Sequence, residues 1–124
     1  MRLLLDTHVL IWWLTGHPLS GEALDAIADE TTDVLVSAAS IWEAEIKAAS
    51  GKLDLRTDLV DQARENAFTE LPVSFEHATV AARLFRHHGD PFDRMLIAQA
   101  RLESLTLVTR DAGLAAYGVP LLAA

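Results

Sequence analysis

Asp6, Glu43, Asp93 and Asp111 each stand at the end of one apolar run or near the start of another. Gathered in one cleft, four carboxylates repel, each raising its neighbours' pKa, unless a cation neutralises them. A donor set made of oxygen alone suits hard Mg²⁺ or Mn²⁺, which keeps several waters for a phosphate to displace. One ion or a pair would polarise a phosphodiester, acidify a water for in-line attack and offset charge on the leaving oxygen. Each acid also has a plainer use. Asp6 before Thr7 fits an Asx cap between strand and helix, Glu43 pairs at i,i+4 with Lys47 as a solvated ion pair, and Asp111 near Gly113 fits a turn. In Asp90-Pro91-Phe92-Asp93, Asp90 is a good N-cap and Pro91 suits the first helical position. Asp93 is then a second charge at the positive end of a helix already capped. Caps and turns do not account for four acids arriving at one edge of a sheet.

The elements that must place them follow from the apolar pattern. Leu3-Leu4-Leu5 is a short buried strand ending at Asp6, and Val9 to Leu14 continues as a helix. Ser20 to Glu30 has helical spacing after a serine cap, Val34-Leu35-Val36 is a strand, and Trp42, Ile46 and Ala49 form one helical stripe closed by Gly51. Asp58 to Phe68 is a helix, Leu71-Pro72-Val73 a brief strand, and Ser74 caps a helix through Arg86. The Asp90 motif opens a helix to about Glu103, Leu105 to Thr109 is a strand, Asp111 to Tyr117 a turn or short helix, and Val119 to Leu122 the last strand. Strands alternating with helices and buried on both faces predict a three-layer α/β domain with a short, mostly parallel sheet. Its strands end along one edge, where ligands bind at the point of strand-order reversal.

Composition narrows the class. The 124 residues, 51% hydrophobic, suit one domain over 1–124. Without cysteine, disulfides, thiolate metal sites and a cysteine nucleophile are excluded. No signal peptide or membrane span is expected, because Met1 to Leu5 meets Asp6 too soon and no later apolar run approaches the roughly 18 residues of a span. A soluble, cytoplasmic protein is therefore expected. A net charge of −8 argues against nucleic-acid binding on its face, an argument that weakens once divalent ions are added to the acids. Adjacent His87 and His88 point apart on most backbones and no second motif completes a zinc site. Trp12, Trp13 and Trp42 suit core or dimer contacts better than base stacking.

Four segments together carry a resemblance: Leu4-Leu5-Asp6-Thr7-His8-Val9-Leu10-Ile11-Trp12, Ser37-Ala38-Ala39-Ser40-Ile41-Trp42-Glu43, Asp90 to Ala100, and Leu105 to Asp111. In their order and spacing they resemble the signatures of PIN-domain proteins, specifically VapC-type toxins of bacterial toxin–antitoxin pairs. The resemblance implies a PIN-like α/β/α fold and a Mg²⁺- or Mn²⁺-dependent endoribonuclease that forms a homodimer and is held inactive by a VapB-like antitoxin. It implies that Asp6, Glu43, Asp93 and Asp111 are the metal-site acids and that Asp90 supports them from behind. Gly89 departs from the pattern, since many relatives carry an arginine there.

Ser37, Ser40 and Thr109 fit equally as caps or strand ends and as groups that orient a carboxylate or a water, Thr7 is a further candidate beside Asp6, and Arg94 and Arg110 are candidates to contact phosphate or pair with the acids. With 10 basic residues in the chain, RNA binding is expected to need two clefts side by side in a dimer. Two other classes compete with hydrolysis. A non-catalytic PIN-like domain would bind RNA or a partner without cleaving. A phosphoacceptor receiver domain fits the length but lacks an acidic pair after the first strand and a lysine where Thr109-Arg110 stands.

Overall fold

A computed structural model describes residues 1–87 and 89–124, so the second member of the His87-His88 pair lies outside the described residues. Five strands, β1 (Arg2–Leu5), β2 (Asp33–Ser37), β3 (Thr69–Leu71), β4 (Thr106–Thr109) and β5 (Leu121–Ala123), form one sheet in the order β3-β2-β1-β4-β5. Every pairing is parallel, which makes the expected mostly parallel sheet fully so. Among the described residues six helices cover it: α1 (Thr7–Thr15), α2 (Gly21–Ala28), α3 (Ala38–Ala49), α4 (Leu59–Glu65), α5 (Phe75–Arg83) and α6 (Pro91–Glu103), with a 3-10 helix at Ala112–Tyr117.

The leucine run of β1 explains the layering. Successive side chains of a strand point to opposite faces, so a strand buried on both sides is apolar throughout. Leu3 and Leu5 pack with Val34, Val36 and Val108 against the layer of α1 to α4. Leu4 packs with Leu35, Leu107, Leu96 and Ile97 on the other face, under α6 and the 3-10 helix. None of the three leucines is exposed, and each contributes about 1.5–3 kcal/mol through burial.

Two strands and two helices sit differently from the sequence expectation: proline accounts for both strands, and the helix expected over Asp58–Phe68 closes at Glu65, with Asn66 as its cap and Ala67 at positive φ. The third strand was expected over Leu71–Val73 and lies at Thr69–Leu71, because Pro72 has no N–H for the ladder. Pro120 moves the last strand from Val119–Leu122 to Leu121–Ala123 in the same way, and its carbonyl accepts the Leu107 N–H at 2.9 Å. The helix expected to reach Arg86 stops at Arg83, with Leu84 extended. There the Arg94 guanidinium donates to the carbonyls of Ala81, Leu84 and Phe85 at 3.0, 2.8 and 3.1 Å, supplying partners that the helix end lacks.

The helices α5 and α6 are also joined at their other ends. The Ser74 hydroxyl accepts the His77 N–H at 3.1 Å, and His77 Nδ1 accepts the Ser74 N–H at 3.0 Å, a reciprocal cap. Since Nδ1 accepts, the ring proton of neutral His77 is on Nε2, which faces Glu103 Oε1 at 2.9 Å.

At the start of α6, Asp90 Oδ1 accepts the N–H groups of Phe92 at 2.8 Å and Asp93 at 3.2 Å, with Pro91 at the first helical position. Asp90→Ala leaves both donors to water, which costs about 1 kcal/mol and lowers the melting temperature by about 3–5 °C. Circular-dichroism melting checks this, with Asp90→Ser recovering most of the loss.

Candidate active site

Strand order reverses beside β1, since the chain moves outward through β2 and β3 and then returns to β4 on the other side. The crevice at the carboxyl ends of β1 and β4 is therefore the switch point of the sheet. Asp6 follows β1, and its N–H donates to the Val108 carbonyl at 3.1 Å, which closes the seam at its mouth. Asp111 follows β4, and Ser37 ends β2 as the cap of α3. A helix that feeds a parallel strand runs opposite to it, so the first turn of α6, with Asp93, starts at this same edge.

Asp6 is 7% exposed and its Oδ1 accepts the Val9 N–H at 2.8 Å, so it caps α1 at the carboxyl end of β1. Burial raises its pKa above the ordinary carboxylate value; the Thr109 hydroxyl, the Val9 N–H and the charge of His8 pull it down, and the charge of Glu43 adds to the rise. Thr109 joins two acids: its hydroxyl is bonded to the Asp6 carboxylate and its oxygen accepts the Asp111 N–H at 3.0 Å. Asp111 Oδ1 in turn accepts the Gly113 N–H at 2.9 Å. A Cβ at position 113 would lie 3.0 Å from that oxygen, which is a packing reason for glycine there.

Glu43 is 6% exposed, with its Oε2 2.8 Å from Lys47 Nζ. The expected i,i+4 pair is present, but its carboxylate is buried and not solvated. The helices that carry Glu43 and Asp93 meet where Trp42 sits edge-on to Phe92, with 5.4 Å between ring centroids. Asp93 is half-buried in the first turn of α6, and Asp111 is exposed. Among the described residues, no three His, Asp or Glu side chains stand close enough together to enclose a metal ion. The charge of Glu43 reaches Asp6 as the least of the influences on its pKa, and Thr109 links Asp6 with Asp111.

The polar groups around the acids suit a hard cation. Thr7 Oγ1 and Ser40 Oγ are buried without a hydrogen-bond partner among the described residues, a condition that costs about 1–3 kcal/mol for each group. Thr7 follows Asp6, and Ser40 lies one helical turn before Glu43. Ser40 is a candidate from the sequence together with Ser37, and its i,i+3 spacing places it on one face of α3 with Glu43. Ser37 is fully buried and its hydroxyl accepts the Ala39 N–H at 3.0 Å. The arginines are employed in the fold. Arg94 holds the end of α5, while Arg110 lies 4.1 Å over the Trp12 ring and donates to the carbonyls of Ala124 and Pro18.

A family model described as PIN domain matches residues 3–120. Among solved structures, the chain is similar to FitAcB from Neisseria gonorrhoeae, at 25% identity and a TM-score of 0.65, covering 97% of this chain and 96% of that one. It is also similar to a toxin–antitoxin complex from Klebsiella pneumoniae at 21% identity and a TM-score of 0.68, covering 97% and 95%. VapBC2 from Rickettsia felis, bound to a DNA fragment from its promoter, matches at 15% identity and a TM-score of 0.72, covering 99% and 98%. A comparison with curated proteins found no match.

The raised pKa of Asp6 has a consequence for stability. The folded state binds the Asp6 proton more tightly than the unfolded state, so this residue's contribution falls as pH rises from about 4 through the raised value. Asp6→Asn retains a cap acceptor and removes the buried charge. In divalent-free buffer at neutral pH the variant melts above wild type, and the difference vanishes below about pH 4. Asp6→Ala, which also loses the cap, melts below Asp6→Asn throughout. Calorimetric scans across pH read both.

Proposed function

The chain belongs to the PIN-domain family, and on that premise we propose that it is a divalent-metal-dependent endoribonuclease acting as the toxin of a toxin–antitoxin pair. The observation that carries this is the buried Asp6 carboxylate at the switch point, its pKa raised by burial and by the charge of Glu43, with the hydroxyls of Thr7 and Ser40, which have no hydrogen-bond partner among the described residues, on the elements that carry these acids. Asp6, Glu43 and Asp93 would hold Mg²⁺ or Mn²⁺, with Asp111 completing the group, and the ion would supply Lewis acidity toward a phosphodiester.

The remaining work falls to the chain's own groups. Thr109 and the Val9 N–H fix the Asp6 carboxylate, so its oxygens need no reorganisation when substrate arrives. Lys47 balances the buried charge of Glu43. Asp90 positions Asp93 by capping the helix on which it sits. Ser37, Thr7 and Ser40 offer hydroxyls that orient water or carboxylate oxygens at the same edge.

Assembly follows from charge. A chain with 18 acidic and 10 basic residues presents little positive surface, so RNA is held across two clefts of a homodimer. The antitoxin is the expected protein partner, since the relatives from Klebsiella pneumoniae and Rickettsia felis are toxin–antitoxin assemblies. No helix among the described residues is long and apolar enough to cross a membrane, and an enzyme acting on cellular RNA belongs in the cytoplasm.

Cleavage of a labelled single-stranded RNA tests the reading. Glu43→Gln and Asp93→Asn each reduce the rate by about a hundredfold or more. EDTA abolishes cleavage and added Mg²⁺ or Mn²⁺ restores it. Full activity of either variant, or cleavage in EDTA, refutes the metal site; metal and RNA binding without strand scission identifies a binding domain instead.

A further inference from the structure

A second feature lies away from the acidic edge. Between α5, the last turn of α6 and the 3-10 helix is a hollow of about 340 Å³ whose lining includes Arg83, Phe85, His87, Arg101 and Tyr117 and no carboxylate. In a chain of net charge −8, two guanidinium groups facing one hollow without an acid are conspicuous. No carboxylate pairs with Arg83 among the described residues. Arg101 donates to the Tyr117 carbonyl at 2.7 Å, which anchors a group with further donors to offer.

Aromatic rings continue from the arginines. His87 packs edge-on to Tyr117 with 5.1 Å between centroids, and Phe85 lies 6.2 Å from His87. Phe85 is 82% exposed, so most of its ring is open to solvent. Guanidinium groups match phosphate oxygens, and an exposed ring stacks on a base regardless of sequence. An acidic peptide would use the arginines and leave the rings without a role. The hollow is also within reach of the acidic edge: Arg101 and Asp93 are eight positions apart on α6, about 12 Å along its axis.

We propose that this hollow is a second contact for single-stranded RNA, with Arg83 and Arg101 holding a phosphate and Phe85 stacking a base a few nucleotides from the scissile bond. This rests on the nuclease reading of the acidic edge. Binding is measured without turnover, by fluorescence anisotropy of a labelled 12-nucleotide RNA with the Asp93→Asn protein. Adding Arg83→Glu weakens binding about tenfold and lowers the slope of log affinity against log salt by about one. Adding Phe85→Ala weakens it about fivefold or more. Both positions are on the surface, and unchanged melting temperatures verify the fold.

Equal affinity of the parent and the Arg83→Glu protein overturns the proposal while leaving the cleavage site intact. Loss with Arg83→Glu but none with Phe85→Ala overturns the stacked base. A protein partner lost by Arg83→Glu at unchanged RNA affinity makes the hollow a protein contact and overturns the RNA assignment. No RNA binding by the parent overturns the proposal together with the function it rests on.

Discussion

The position of β1 is the constraint on which the rest depends. A parallel strand flanked on both sides and covered on both faces can present chemistry only at its ends. With β2 and β4 as neighbours, its carboxyl end faces a crevice between connections that diverge in opposite directions. Leu3, Leu4 and Leu5 secure the strand through burial, and the bond from the Asp6 N–H to the Val108 carbonyl extends the pairing to the point where the acids begin. Leucine burial and backbone bonds hold this seam without relying on the acidic side chains.

Burying Asp6 places an electrostatic cost at that seam. The residue both caps α1 and lies near Glu43, so it satisfies a backbone donor while repelling a neighbouring charge. Thr109 and Lys47 relieve part of the conflict, and the hydroxyls of Thr7 and Ser40 remain without partners among the described residues. Local preference and global stability disagree here, as is expected where a fold gives up stability for function.

Much of this was legible in the sequence because it rests on local rules. The apolar runs reveal the strands and their layers, and Asp90-Pro91 marks the start of α6 by simple cap chemistry. Pro72 and Pro120 show the limit of that kind of reading, since apolar pattern alone extends strands into residues that cannot donate to the ladder. Asp6 and Glu43 were recognisable as candidates, yet the burial of Glu43 beneath its ion pair depends on how α3 lies on the sheet. Arg94 and Arg110 were harder still. Their partners are backbone carbonyls up to 92 residues away in sequence, and no spacing rule reports such contacts.

The Asp90 cap also sets an angle. Successive residues of a helix are turned by about 100° around its axis, so a start displaced by one residue would swing Asp93 through more than a quarter of a circle. By binding the N–H groups of Phe92 and Asp93 with one oxygen, and with Pro91 fixing the first backbone torsion, Asp90 determines the rotational phase of α6 as well as its beginning. The direction of a carboxylate is thereby encoded three residues upstream of it.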